Sequence, residues 1–180
     1  MAQSLRTSCL VAILVIVVPL AVPIAQTKEP GPPSPFVGTW VLNLAKSTYD
    51  GARRKKESTR TLDMYGEGRI VATHRRTIEN GNDGFSYWVG NLRGEPFPEY
   101  ARQRRGAPGN TVSITEVDSH AWRVTFRNRE GRVVLTDTWT VSADGRTLTI
   151  DRKGLPANGP PTHSVEVYEN DGFARPGATR

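Results

Sequence analysis

Apolar and polar residues alternate in short runs along most of the chain from Phe36 onward. Side chains of a strand point alternately to its two faces, so Phe36, Trp40 and Leu44 share one side of the first run. The pattern predicts an opening strand that directs Trp40 into the core. Gly38 lies on the same side, where it lets the strand bend or another backbone approach closely.

The same alternation predicts nine further strands, and no segment shows sustained helical periodicity. The ten predicted strands cover residues 36–44, 56–65, 69–79, 84–92, 95–99, 110–118, 120–128, 132–142, 146–152 and 163–169. Residues that tolerate positive φ separate neighbouring strands at 66–68, 80–84, 129–131 and 143–145. Hairpins in sequence predict an up-and-down antiparallel meander, with one short helical turn at 45–47.

A meander of this length leaves two exposed edges unless the sheet closes on itself. We therefore expect an all-β fold, an up-and-down antiparallel barrel of about eight to ten strands. A two-sheet sandwich is the alternative, because both architectures show the same alternation in the sequence.

The beginning of the chain has the pattern of a secretory signal: Arg6 lies in a polar start, and an apolar run follows it. An uncleaved membrane anchor is the alternative, although Pro19 and Pro23 interrupt the run and it is short for a span. We expect a secreted or periplasmic protein with no membrane span after signal cleavage. The predicted segments are a signal peptide over 1–25, a disordered lead over 26–35, the barrel domain over 36–170 and a disordered tail over 171–180.

Cysteine content and charge indicate whether disulfides form and which kinds of partner to expect. Cys9 is the only cysteine and lies in the signal, so we expect no disulfide in the mature domain. The formal net charge is +6, which favours contact with anionic surfaces. Two basic clusters, 53–56 and 102–105, fall in predicted connections. They are interpreted as solvated loops or as contacts to an anionic envelope component. We expect no nucleic-acid binding, since only Tyr100 is an aromatic near either cluster.

Polar residues interrupt the apolar inward face of several predicted strands. His74 and Arg76 lie on one predicted strand between Ala72 and Ile78, and Asp137 lies on another between Leu135 and Trp139. A buried charge is costly unless it is paired or hydrated, so we expect Asp137 to have His74 or Arg76 as its nearest charged partner. The functional interpretation is a small-molecule pocket. The alternatives are an internal ion pair or a register shift that turns these residues to solvent.

Two sets of residues complete the predicted interior. The predicted ligand-binding residues are His74, Arg76, Tyr87, Trp122, Asp137 and Trp139, with Glu116 and Arg152 as further inward polar candidates. The predicted core is formed by Ile70, Ala72, Ile78, Trp122, Val124, Phe126, Val133, Leu135, Trp139, Val141, Leu148, Ile150, Val165 and Val167.

Motifs for catalysis or for cofactors are absent from the sequence. It has no nucleophile elbow, phosphate-binding loop or dinucleotide fingerprint. His74, His120 and His163 fall on separate predicted strands without the short spacing of metal ligands. We therefore expect no metal, no cofactor and no enzymatic activity.

Three runs carry a family resemblance: residues 35–47 read PFVGTWVLNLAKS, residues 141–150 read VSADGRTLTI and residues 165–169 read VEVYE. In this order they resemble a family of small exported bacterial proteins of lipocalin-like type. The Gly-x-Trp at 38–40 also resembles the opening motif of lipocalins. Trp139 departs from the family pattern, which has Arg or another polar residue at this place. The resemblance implies a calycin-like barrel and small-molecule binding, with no catalytic residue to carry over.

We therefore expect a lipocalin-like barrel that binds a small apolar or amphipathic ligand without catalysis. The competing hypothesis is a non-catalytic, envelope-associated module whose basic loops contact anionic partners. An open apolar cavity favours the first, and a barrel filled by side chains favours the second. A cleft with paired titratable groups would instead favour an enzyme.

Overall fold

The computed structural model describes residues 34–102, 108–156 and 159–172. Most of these residues belong to strands of one antiparallel sheet. The predicted signal peptide, the lead up to residue 33, residues 103–105 of the second basic cluster and the tail from residue 173 lie outside the described residues. None of the helices in the described ranges is long and apolar enough to cross a membrane.

The strands are β1 (Gly38–Leu42), β2 (Thr48–Asp50), β3 (Lys55–Tyr65), β4 (Arg69–Ile78), β5 (Asp83–Asn91), β6 (Phe97–Ala101), β7 (Pro108–Asp118), β8 (Ala121–Arg127), β9 (Val133–Val141), β10 (Thr147–Gly154) and β11 (Thr162–Asn170). Two single-turn 3₁₀ helices are present at Leu44–Lys46 and Gly66–Gly68. The ten predicted strands are confirmed. The short β2 was not predicted, because three residues are too few to show an alternation.

The sheet closes into a barrel. Strands β3 to β11 pair in sequence order, and β1 pairs with both β3 and β11. After the 3₁₀ turn, β2 pairs with β11 farther along, where Thr48 lies opposite Val165. The up-and-down antiparallel barrel is therefore confirmed, and the two-sheet sandwich is wrong.

The opening strand is fixed by Gly38 and Trp40. Gly38 has a φ of 144°, and a Cβ there would lie 3.4 Å from the side-chain nitrogen of Asn170. Glycine therefore fits both the backbone conformation and the close approach of β11. Trp40 is fully buried, and its indole Nε1 donates a hydrogen bond to the Phe36 carbonyl over 2.9 Å. The predicted burial of Trp40 is confirmed.

A group of aromatic rings packs together in the barrel interior. Phe36 stacks on Trp122 with ring centroids 3.8 Å apart. Trp122 lies 6.5 Å from Trp139, and Trp139 lies 6.3 Å from Trp88. Offset aromatic pairs at such distances are favourable beyond their burial. The remaining fully packed core residues include Leu62, Ile70, Val112, Ile114, Val124, Leu148 and Ile150.

The predicted face of β11 is wrong. Val165 and Val167 are only half-buried, whereas Ser164, Glu166 and Tyr168 are buried inside the barrel. A shift of one residue moves every side chain of a strand to the other face. The two valines led to the wrong assignment, because here the apolar residues of the strand lie on its outer side.

The side chains of two further residues do not lie where the sequence predicted. Glu116 is exposed at the end of β7, where the register with β8 shifts between Glu116 and Asp118. Lys55 belongs to β3 and is 5% exposed, so it is not part of a solvated loop. A bulge between Lys55 and Glu57 moves Lys55 to the inner face and leaves Lys56 outside.

Candidate functional site

A cavity of about 770 Å³ lies within the barrel. It reaches solvent near the β2–β3 and β4–β5 connections, where the lining residues Arg53, Asn82 and Asp83 are exposed. Inside, its wall is formed mainly by side chains of β3, β4, β5, β10 and β11. The volume is in the range of small-molecule sites, about 300 to 1,000 Å³.

The cavity wall combines apolar and polar side chains. Its apolar residues are Ala52, Ile78, Trp88, Phe126 and Leu135. Its polar residues include Lys55, Arg60, His74, Arg76, Glu99, Arg152, Ser164 and Glu166. A lining with both kinds of side chain suits an amphipathic ligand.

Asp137 is fully buried and forms an ion pair with Arg152. Arg152 donates from Nε to Oδ1 over 2.9 Å and from Nη2 to Oδ2 over 2.6 Å. Trp139 Nε1 also donates to Oδ2, over 3.1 Å. The predicted inward position of Asp137 is confirmed, but the prediction of His74 or Arg76 as its partner is wrong. Asp137 and Arg152 are direct neighbours on the paired strands β9 and β10, which brings the two side chains together.

Glu166 lies at the centre of a buried cluster of cations. Its carboxylate accepts hydrogen bonds from Lys55 Nζ and, over 2.9 Å, from the Tyr168 hydroxyl. Arg152 Nη1 and Arg60 Nη2 lie 3.7 and 3.9 Å from its oxygens. Burial opposes ionisation, but the charge of Arg152, with Lys55 and Arg60, outweighs it and lowers the pKa of Glu166 to about 2. Glu166 is therefore a carboxylate at neutral pH.

A chain of hydrogen bonds connects Arg76 to this carboxylate. The Arg76 guanidinium, which can only donate, lies 3.2 Å from Nδ1 of His74. His74 Nε2 lies 2.9 Å from the Ser58 hydroxyl, which lies 3.1 Å from the Tyr168 hydroxyl. Nδ1 thus accepts, and we assign the proton of the neutral imidazole to Nε2, which donates to Ser58. Both nitrogens are then engaged, which leaves His74 no free position to act as a base.

Burial shifts the protonation of the basic groups in this cluster. Burial, and then the positive charge of Arg60, lowers the pKa of His74 well below its ordinary value. Burial, and then the charge of Arg152, likewise lowers the pKa of Lys55. Burial raises the pKa of Tyr168 to about 12, so its hydroxyl keeps the proton that it donates to Glu166. Burial therefore favours the neutral form of His74 and of Lys55.

Arg60 occupies a different position from the other buried cations. Its guanidinium carbon lies 5.1 Å from the ring centroid of Trp139 and 5.4 Å from that of Tyr168. Within the described ranges, its Nε and Nη2 have no hydrogen-bond acceptor. The hydroxyl of Ser164, on the same cavity wall, also lacks a partner there.

The structure brings only part of the predicted site together. His74 and Arg76 line the cavity, while Asp137 and Trp139 lie behind Arg152 and Arg60. Trp122 belongs to the aromatic core and does not line the cavity. Tyr87 needs correction: it is 42% exposed and stacks on Tyr100 at 5.2 Å, because it alternates with the inward Ser86 and Trp88.

Sequence reasoning missed Lys55, Ser58, Arg60, Glu166 and Tyr168 as members of the polar cluster. The signal for Arg60 was present in β3, where Ser58, Arg60 and Leu62 alternate and all three are buried. The signal for Glu166 was hidden by its valine neighbours, and that for Lys55 by the bulge. Paired strands bring these residues into one polar cluster, of which Lys55, Arg60 and Glu166 line the cavity.

The described residues contain no group of three or more His, Cys, Asp or Glu side chains that could hold a metal ion. His163 pairs with Asp151 at the surface over 2.9 Å. His120 is a neighbour of Ser119 at the β7–β8 turn. The three histidines therefore lie at separate places in the barrel.

No family model matches the chain, and the comparison with curated proteins found no match. One solved structure with a similar arrangement is that of Ex-FABP, a siderocalin described as functioning through dual ligand specificities. The match covers 79% of this chain and 78% of that chain, with 12% identity and a TM-score of 0.35. A likeness at this level carries no argument about function. The barrel of this chain rests on its own strand pairing, which agrees with the architecture that the lipocalin-like resemblance implied.

Proposed function

We propose that this protein is a non-catalytic binding barrel that holds a small amphipathic molecule in its cavity, and that it acts as a secreted or periplasmic protein. The observation that carries the proposal is the cavity of about 770 Å³, whose lining combines apolar with polar side chains. An open cavity supports a binding protein over a module whose barrel is filled by side chains. The signal-like beginning of the sequence supports export.

The cavity can be tested with an uncharged probe, N-phenyl-1-naphthylamine, whose fluorescence rises in apolar surroundings. Ile78→Trp narrows the cavity from its wall, whereas Val89→Trp is a matched control on the exposed outer face. We expect saturable binding to the wild type and to Val89→Trp, and an affinity at least about tenfold lower for Ile78→Trp, because overfilling excludes the probe.

The proposal fails if the wild type shows no saturable binding of the probe. It also fails if Ile78→Trp binds the probe as well as the control does, since the probe would then lie elsewhere. Circular dichroism of each variant checks that the barrel is intact.

A further inference from the structure

The two ends of the barrel differ in their surface charge. In an up-and-down barrel, every second strand ends at the same end. The cavity opens at the end where β4, β6, β8 and β10 end, which we call the mouth end. The far end is the opposite one, where β3, β5, β7, β9 and β11 end. The charged side chains of the two ends can therefore be compared directly.

Exposed cations outnumber exposed acids at the mouth end. Among the described residues, the exposed cations of its connections and strand ends are Arg53, Arg54, Arg102, Arg127, Arg129 and Arg132. The exposed acids in the same places are Glu79, Asp83 and Glu130. Two more cations, Lys56 and Lys153, are offset by the exposed Glu57 and Asp50. The mouth end therefore has a positive net charge.

The far end has the opposite balance. Its exposed acids within the described ranges are Asp63, Glu95, Glu116, Asp118, Asp144 and Asp171. Its exposed cations are Arg69, Arg93, Arg123 and Arg146. Lys46 and Glu169 pair over 2.9 Å and add no net charge. The charge of the barrel thus changes sign along its axis, so an anionic surface attracts the mouth end and repels the far end.

An apolar side chain is exposed among the cations of the mouth end. Leu155 directly follows β10 and is 48% exposed. Its backbone N–H donates to the Val134 carbonyl over 2.9 Å, which holds this part of the chain against β9. Cations together with an apolar side chain suit a lipid interface, where the head groups carry charge and the acyl boundary accepts the leucine. A soluble polyanion would leave Leu155 in water, so the lipid surface is favoured.

We propose that the mouth end of the barrel docks on an anionic lipid membrane, where its exposed arginines contact the head groups and Leu155 enters the acyl boundary. The cavity then opens toward the layer in which amphipathic molecules collect. This inference goes beyond the proposed function, because it names a partner for the outer surface and does not depend on what the cavity holds.

The test measures cosedimentation with lipid vesicles. One set of vesicles consists of phosphatidylcholine alone, and the other of equal parts of phosphatidylcholine and phosphatidylglycerol. Every protein is purified from the native host, so that all carry the same N-terminus. We expect the wild type to bind the vesicles with phosphatidylglycerol at least about tenfold more tightly at low salt. This preference should disappear at about 1 M salt, because exposed charges are then screened.

Two triple variants with the same change in net charge test which end docks. Arg54→Gln/Arg102→Gln/Arg132→Gln removes cations from the mouth end, and none of these residues lines the cavity. It should bind the anionic vesicles about 10- to 100-fold more weakly, because each cation near an anionic membrane contributes to the affinity. Arg69→Gln/Arg93→Gln/Arg146→Gln at the far end is the matched control and should change the affinity by less than about threefold.

A pair of single variants tests the role of Leu155. Leu155→Ser should weaken binding to the anionic vesicles about three- to tenfold, since less apolar surface enters the membrane. Val117→Ser is the control: Val117 is 56% exposed near the end of β7, at the far end, and its loss should leave the affinity unchanged.

Equal binding of the wild type to both kinds of vesicle would overturn the inference, even if no variant folds. Equal losses in the two triple variants would also overturn it, because net charge alone would then explain the binding. So would wild-type binding to polyphosphate as tight as to vesicles together with no effect of Leu155→Ser, since the partner would then be a soluble polyanion. The uncharged probe tests the proposed function without vesicles, so either proposal can fail while the other stands.

Discussion

The Asp137–Arg152 pair gives a stability prediction that follows directly from the geometry. Asp137→Asn keeps the side-chain volume but removes the charge that receives both nitrogens of Arg152, at 2.9 and 2.6 Å. Breaking a buried ion pair at one partner costs about 3 to 5 kcal/mol, because the other charge is left buried. Arg152 is 16% exposed and keeps Glu166 at 3.7 Å, so we expect the lower end, about 3 kcal/mol.

Urea denaturation followed by tryptophan fluorescence measures this loss, and it appears as a lower midpoint at unchanged slope. Asp151→Asn is the matched control, because Asp151 precedes Arg152 in the same strand, β10. Asp151 pairs with His163 at the surface, with side chains about half exposed (47% for His163 and 45% for Asp151), so its loss should cost less than about 1 kcal/mol.

A double-mutant cycle separates the pair from its surroundings. Arg152→Gln alone should also destabilise the barrel, because it leaves Asp137 buried without its cation. The double variant should then cost less than the sum of the two single losses, by about 1 to 3 kcal/mol. A loss under about 1 kcal/mol for Asp137→Asn, or additive single losses, would show that the Asp137–Arg152 pair does not stabilise the barrel.

Three further predictions concern other parts of the barrel. Trp40→Ala removes a fully buried ring and should lower the free energy of unfolding by about 3 to 5 kcal/mol in urea; a loss under about 1 kcal/mol would contradict its role in the core. Lys55→Met should lower the free energy of unfolding by about 1 to 3 kcal/mol, because Glu166 loses a buried donor. Lys56→Met changes the exposed neighbour and should lower it by less than about 0.5 kcal/mol. Equal losses would reject the bulge that turns Lys55 inward. The lowered pKa of Glu166, about 2 against 4.5, stabilises the fold above about pH 4.5, and this contribution of about 3 kcal/mol should be lost as the pH falls through about 2. Glu166→Gln should flatten that part of the pH profile in urea titrations, and an unchanged profile would contradict the assignment.

The strands and turns could be predicted because their signals are local. Alternation along β8 and β9 placed Trp122, Trp139 and Asp137 on the inner face, and the structure agrees. Glycine-containing turns placed the hairpins, and the number of strands predicted closure, which the β1–β11 pairing confirms.

The chemistry of the cavity could be predicted only in part, because the hydrophobic rule fails where a barrel interior is polar. In β11 the valines lie outside and Glu166 inside, so the alternation led to the opposite face. Lys55 is inward only because of a bulge, which has no reliable local signal. The cation that pairs with Asp137 depends on which strands are neighbours. Because β9 pairs with β10, Arg152 lies opposite Asp137.

Native mass spectrometry of the protein purified from its own host tests the binding account most directly. We expect a fraction of the molecules to carry the added mass of one small organic molecule, and accurate mass after its release identifies its composition. Ile78→Trp, purified in the same way, should carry none, and Val89→Trp should carry as much as the wild type. A wild-type protein that carries no small molecule, and that does not take up the uncharged probe when it is added, would contradict the proposed function.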